Sequence, residues 1–215
     1  MNTIELKGVS KVIKKNVVLD NIDIKFESDK VYGLKGRNGS GKSMLLRLIS
    51  GLVYPTEGSV LINGKVLHKE IESPGNIGIV IENAGLYPDL TGFDNLKYLA
   101  SIKGQVSEEG IRRAIERVGL DPYDKKILKK YSLGMKQKIV IAQAIMEKPD
   151  FLLLDEPTNA LDEKGIELLR QIVKEEFARG ALVLIASHNE EDLKLLCDKV
   201  IVMSEGKISG EYINF

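Results

Sequence analysis

Hydrophobic and polar positions change rhythm twice along the 215 residues. In the first third, short runs (TIELKGVS, VVLDNIDIKF and KVYGLKG) read as strands separated by turns. A helix from Gly41 to about Leu52 follows, then GSVLING, where Asn63-Gly64 supplies a turn. From about Asn83 to Lys148 the apolar residues recur at helical spacing: Ile111, Ile115 and Val118 share one face, and Ile139, Ala142, Ala144 and Ile145 another. Asp121-Pro122 and Lys148-Pro149 are expected to close two of these helices, because a residue before proline is pushed out of the helical region. After Pro149 strands return. FLLLD and ALVLIASH are unbroken apolar runs, followed by helical spacing over Glu163 to Arg179 and Glu190 to Cys197, and VIVMSEGKISGEYI reads as a closing hairpin. Unbroken apolar strands between helices imply a parallel sheet covered on both faces, since a sheet with one wet face alternates.

Composition narrows the function classes. There are 31 Lys+Arg against 31 Asp+Glu, which gives no broad basic footprint for nucleic acid or an anionic membrane surface. The one basic cluster, Lys125, Lys126, Lys129 and Lys130, reads as a solvated face. Cys197 is the only cysteine and forms no internal disulfide, so a cytosolic setting is expected. No run approaches the roughly 18 apolar residues of a membrane span, and MNTIELKGVSKVIKK carries charges where a secretory signal would be apolar.

Candidate chemistry enters at residues 36–43, GRNGSGKS, which fit G-x-x-x-x-G-K-[ST] directly after KVYGLKG and before MLLRLIS. Strand, loop and helix in this order are what a phosphate-binding loop requires. Gly36, Gly39 and Gly41 let backbone N–H groups close around phosphate oxygens, Arg37, Asn38 and Ser40 complete the turn, and the helix N-terminus adds partial positive charge. Lys42 is expected to reach the β- and γ-phosphates, and Ser43 to offer its hydroxyl to Mg²⁺. FLLLD ends an apolar strand in a carboxylate at the sheet edge where ligands bind in such folds. Asp155 is therefore assigned to the Mg²⁺ shell through water, and Glu156, turned the other way along the chain, to general-base activation of water. The expected fold class is α/β: a P-loop NTPase core with a mainly parallel sheet, an N-terminal antiparallel β part and an inserted α-helical subdomain. The core is expected to comprise residues 1–82 and 149–215, and the insert 83–148.

YSLGMKQKIVIAQAIMEKPDFLLLDEPTNALD, residues 131–162, resembles the ATP-binding-cassette (ABC) ATPases, and the resemblance extends from Ile4 to about Lys207. The family's serine-glycine element corresponds to Ser132, Leu133, Gly134 and Met135. Ser132 can cap a helix whose N–H groups face an anion, and Gly134 permits close backbone approach. The resemblance implies ATP and Mg²⁺ as ligands and two cassettes stacked head to tail, each bringing Ser132 and Gly134 to the γ-phosphate held by the other. It also implies that His188 contacts that phosphate and holds Glu156 and water, and that NALD, with Asp162, senses the second cassette. The partners it implies are a second copy of the cassette and integral membrane permease subunits, with no nucleic acid. The place it implies is the cytoplasmic face of the cell membrane.

Three positions depart from the family pattern. Glu82, within GIVIENAGLYPDL, stands where a glutamine is usual; a carboxylate can still ligate Mg²⁺. Ile13 occupies the place of an aromatic that stacks on adenine, and Leu133 that of a glycine. IEN, LYPDLTGFDNLKYL and YSLGMKQ resemble the bacitracin- and lantibiotic-type exporters, so the implied work is ATP-driven export of a peptide antibiotic, drug or similar amphiphile, with Leu86, Tyr87 and Pro88 lining a groove for the permease. A soluble ABC ATPase acting on ribosomes or DNA is the alternative, but it would carry tandem cassettes or long insertions. A regulatory module without hydrolysis would not need Lys42, Glu156 and His188 together, and a kinase or GTPase leaves residues 131–135 unexplained.

Overall fold

The computed structural model describes residues 1–81 and 85–213. From the N-terminus, β1 (Thr3–Ile13) and β2 (Asn16–Glu27) form a hairpin, β3 (Val31–Lys35) runs into α1 (Lys42–Ile49), and β4 (Glu57–Ile62) and β5 (Lys65–Val66) form a second hairpin before β6 (Ile77–Val80). The helices α2 (Gly92–Lys103), α3 (Glu108–Arg117) and α4 (Leu133–Ile145) follow. The chain then alternates β7 (Phe151–Asp155), α5 (Glu163–Ala178), β8 (Leu182–Ser187), α6 (Glu190–Leu196), β9 (Lys199–Ser204) and β10 (Lys207–Ile213). No helix of the described residues is long and apolar enough to cross a membrane.

Two sheets result. The antiparallel sheet has the order β2-β1-β4-β5; the larger one has the order β10-β9-β3-β8-β7-β6 and is parallel except where β10 pairs with β9. β7 and β8 are buried at every position, as their unbroken apolar runs require. Their side chains divide by alternation. Leu152, Leu154, Val183 and Ile185 join a core with Leu96, Ile111, Ile139 and Leu169, while Phe151, Leu153, Leu182 and Leu184 join a second core with Leu6, Ile22, Leu45 and Leu48. The helices α2 to α4 thus share one continuous core with a face of the large sheet.

Three details differ from the sequence expectation. α3 stops at Arg117 with Gly119 in the left-handed region (φ 73°), three residues before Pro122, so glycine and not proline ends it. α4 likewise ends at Ile145, and Lys148 turns the chain at φ 51° before Pro149 is reached. β6 was absent from the predicted strands and forms the edge of the parallel sheet beside β7. Elsewhere the turn at Asn63-Gly64 is as expected: both residues have positive φ (50° and 79°) between the paired Ile62 and Lys65.

The topology fixes where chemistry can gather. Lys35 lies opposite Ser187 and Asp155 opposite Ala186, so the carboxyl ends of β3, β7 and β8 finish side by side. The segments that follow these three strands therefore converge on one edge of the sheet.

Candidate active site

The loop after β3 closes over the start of α1. Gly41 sits at the N-cap with φ 104°, and a Cβ there would lie 2.7 Å from Leu19 and 3.1 Å from the Val18 carbonyl, so only glycine fits the backbone and the space. Lys42 is 5% exposed, and its ammonium donates to the Gly36 carbonyl at 2.7 Å and the Arg37 carbonyl at 3.4 Å. Asn38, Gly39, Gly41, Lys42 and Ser43 line a cavity of about 390 Å³ together with Val18, Met44, Arg47, Asp155 and Glu156. Ser40 is held in the turn by its backbone, its N–H donating to Arg37 and its carbonyl accepting from Gly206, and its buried hydroxyl has no hydrogen-bond partner among the described residues. Free N–H groups at a helix start and a buried ammonium make this an anion cradle.

Asp155 and Glu156 reach the same cavity from the end of β7. Asp155 is 5% exposed. Glu156 has a left-handed backbone (φ 46°), an uncommon conformation for a side chain with a Cβ, and its N–H donates to the Ala186 carbonyl at 2.8 Å. Its carboxylate is ringed by donors: His188 Nδ1 at 2.9 Å, the His188 N–H at 3.0 Å, the Ser187 hydroxyl at 3.3 Å and Lys42 Nζ at 3.7 Å. These contacts aim the Glu156 carboxylate and set it beside the Lys42 ammonium, as suits an acceptor of a proton from water. The half-exposed His188 reaches out from the end of β8.

Ser43 and Asp155 line the same space with a hydroxyl and a carboxylate, a hard-oxygen donor pair that would suit Mg²⁺. Among the described residues no cluster of three His, Cys, Asp or Glu could hold a metal by protein ligands alone. Glu82, the third expected ligand, lies outside the described residues.

The serine-glycine element borders a different cavity, of about 600 Å³, where Leu133 and Lys136 share the lining with Asp155, Glu156 and Asn159. Ser132 caps α4, its Oγ accepting from the Met135 N–H at 3.2 Å, and Leu133 is 72% exposed. Neither Ser132 nor Gly134 lines the phosphate-loop cavity. The close approach that Gly134 permits is to its own chain: a Cβ would meet the Ala160 carbonyl at 2.5 Å. Asp162 caps α5 by accepting from the Gly165 N–H at 2.9 Å, with Lys138 of α4 at 3.8 Å. These two contacts, the Gly165 N–H first, hold its carboxyl below the usual carboxylate range.

Sequence reasoning missed several neighbours. Val18, Met44 and Arg47 complete the cavity, and Ser187 supports Glu156. The buried pair Thr158–Asp192 ties the turn after β7 to α6. Ser187 was visible as the polar end of an apolar strand. The Thr158–Asp192 pair, 34 residues apart, carried no local signal.

The pattern of a family described as ABC transporter matches residues 19–159. The chain is 51% identical over 205 residues to the uncharacterized ABC transporter ATP-binding protein YybJ of Bacillus subtilis (strain 168), covering 95% of this chain and 94% of that one. It is 38% identical to the bacitracin transport ATP-binding protein BcrA of Enterococcus faecalis, over 97% of this chain and 68% of that protein. Among solved structures, the dimeric structure of MJ0796, a bacterial ABC transporter cassette, superposes with a TM-score of 0.89 at 25% identity and covers 99% of both chains. With the phosphate cradle, the paired acids and the histidine assembled at one sheet edge, the chain belongs to the ABC transporter family, as an ATP-binding cassette with ATPase activity.

Proposed function

We propose that two copies of this chain sandwich two ATP molecules, each held by the phosphate loop of one copy and the α4 tip of the other, and that hydrolysis drives a membrane permease. The observation that carries this reading is the split described above. Lys42, Ser43, Asp155, Glu156 and His188 converge within one chain, whereas Ser132 and Gly134 do not line that cavity. An N-terminal helix end with a serine cap is suited to a phosphate that its own chain does not present to it.

In this reading the loop N–H groups and Lys42 orient the triphosphate, and Ser43 and Asp155 hold Mg²⁺, with Glu82 as a further ligand. Mg²⁺ supplies neutralisation of the developing phosphate charge. Glu156 accepts a proton from water, and His188 fixes the carboxylate and contacts the γ-phosphate. Tighter binding of ATP to the closed pair than to the open one is what lets the nucleotide move attached subunits.

The permease face is assigned to the helical stretch 83–148, inserted in a core of 1–82 and 149–215. There Tyr87 and Tyr98 pack edge to face at 5.1 Å, 46% and 51% exposed, with Ile102 one turn beyond Tyr98 and 73% exposed. Such a contiguous apolar patch suits a short helix from a membrane subunit. The chain would then sit on the cytoplasmic face of the membrane. The kinship with a bacitracin transport protein supports a peptide antibiotic or similar amphiphile as cargo.

Glu156→Gln removes the proton acceptor and keeps the shape. With ATP this variant is expected to run as a dimer in gel filtration, and with ADP as a monomer. A variant that stays monomeric with saturating ATP overturns the sandwich. Co-purification of an integral membrane protein with the wild-type chain tests the permease, and increased bacitracin sensitivity on deletion of the gene tests the cargo.

A further inference from the structure

Two turns carry the groups at the acid end of the cavity. One follows β7 and holds Glu156; the other follows β8, holds His188 and enters α6 through Asn189, whose side chain accepts from the Glu191 N–H. The turns meet directly through Glu156 and His188. The turn after β7 also meets α6, outside the cavity lining, where the Thr158 hydroxyl donates to Asp192 Oδ2 at 2.5 Å, with both residues 8% exposed.

The second contact is chemically unusual. Asp192 is the third residue of α6, so its carboxylate lies at the positive end of that helix, yet no lysine or arginine pairs with it among the described residues. A buried carboxylate held by a single hydroxyl is a poor source of stability compared with apolar residues filling the same space. What it does provide is direction: a short bond between two buried groups sets the position of α6 relative to the turn after β7. Because α6 starts two residues after His188, this also sets His188 relative to Glu156. Glu156 is among the non-glycine residues with positive φ (46°), a conformation that persists only where its surroundings hold it.

We propose that Thr158 and Asp192 are a positioning pair that keeps Glu156 against His188 during turnover, so that they govern the rate of hydrolysis and leave nucleotide affinity unchanged. Neither residue lines the phosphate-loop cavity, which separates the two effects. The inference rests on the hydrolytic role assigned to Glu156.

Thr158→Val in the full chain removes the donor at nearly constant size. Expected is a fall in kcat of roughly tenfold or more, as for small misplacement of a catalytic group. KM for ATP and the affinity for a fluorescent ATP analogue should stay within about twofold, and the melting temperature within a few degrees. Thr158→Ser should restore kcat, and Asp192→Ala should lower it without adding to Thr158→Val. A second readout needs no turnover. The chain has two histidines, His68 and His188, and in Thr158→Val the imidazole NMR signals of His188 should move while those of His68 stay. The inference is overturned if Thr158→Val keeps wild-type kcat and His188 signals, if nucleotide affinity falls together with kcat, or if serine fails to rescue. A wild-type chain that binds ATP without hydrolysing it defeats the reading of Glu156 and this inference with it; wild-type hydrolysis alongside an inert Thr158→Val defeats this inference alone.

Discussion

The two parts of the molecule proposed to meet phosphate differ in how far the chain itself completes them. At the carboxyl ends of β3, β7 and β8, donors and acceptors already face one another: Lys42 is bonded to the Gly36 carbonyl, and Glu156 to Ser187 and His188. At the N-terminal tip of α4, Ser132 satisfies one backbone N–H, and the helix start otherwise ends at the exposed Leu133. The first arrangement is organised for chemistry before any ligand arrives, and such preorganisation is the larger part of catalytic power. The second is anchored from behind, through Gly134 against Ala160 and Lys138 beside Asp162, and open in front. A surface held from behind and exposed at Leu133 is suited to contact with another molecule.

The strongest way to disturb this contrast is to loosen the joint between the two parts. Glu176 of α5 is 3% exposed and bonds Arg117, at the end of α3, at 2.9 Å and Arg179 at 2.7 Å and 3.0 Å. This cluster fastens the helical stretch to the core. Breaking a buried ion pair costs about 3–5 kcal/mol, and since both arginines remain about a third exposed the lower end applies. Glu176→Gln is therefore expected to lose about 3 kcal/mol in urea unfolding, or roughly 6–12 °C in melting temperature. Affinity for ATP should remain, because the phosphate-loop cavity has no lining from α3 or α5. Loss of ATP binding at a temperature where the variant is folded would mean that the loop depends on the helical stretch, and the contrast would fail.

The two parts also differed in what the sequence disclosed. Residues 36–43 and Asp155-Glu156 are contiguous in the chain and lie beside strong apolar strands, so their chemistry and the strand ends that present it were legible together. His188 was singled out by the family resemblance, supported by its place after another such strand. The contacts that make these residues a site run between segments about thirty residues apart (Glu156 with Ser187 and His188, Thr158 with Asp192), and alternation within one strand says nothing about them. The fold shows the same division. The buried central strands β7 and β8 announced themselves, whereas β6 is four residues long and its apolar run is too short for periodicity to classify. Prolines were given the role of ending helices that left-handed residues had already ended at Gly119 and Lys148.

A smaller effect tests the exposed tip itself. Ser132→Ala removes the cap of α4 and should cost about 1 kcal/mol. A single chain should still bind ATP with wild-type affinity, while the ATP-dependent dimer of the Glu156→Gln background should weaken. Equilibrium titration with a fluorescent ATP analogue separates the two measurements. If binding to the monomer falls as well, the α4 tip serves its own chain's cavity, and the division between a finished and an open part is wrong.

The smallest effect concerns the turn that lies between the two parts. The Asp162 carboxyl is held below its ordinary range by the Gly165 N–H and then by Lys138. A carboxylate whose folded pKa is depressed contributes stability above its unfolded pKa of about 3.9 and loses that contribution as pH falls through the folded value. Asp162→Asn keeps a capping oxygen but abolishes the titration, so wild type should be the more stable protein at neutral pH, and the difference should close on acidification below the ordinary aspartate range. Because Asp162 is solvent-exposed, salt screens the Lys138 share, and high ionic strength should shrink the neutral-pH difference without abolishing it. Urea midpoints for both proteins across pH, at low and high salt, measure this. A difference that persists unchanged into acid would show that Asp162 acts by shape alone, and the turn would then carry no charge link between the α4 face and α5.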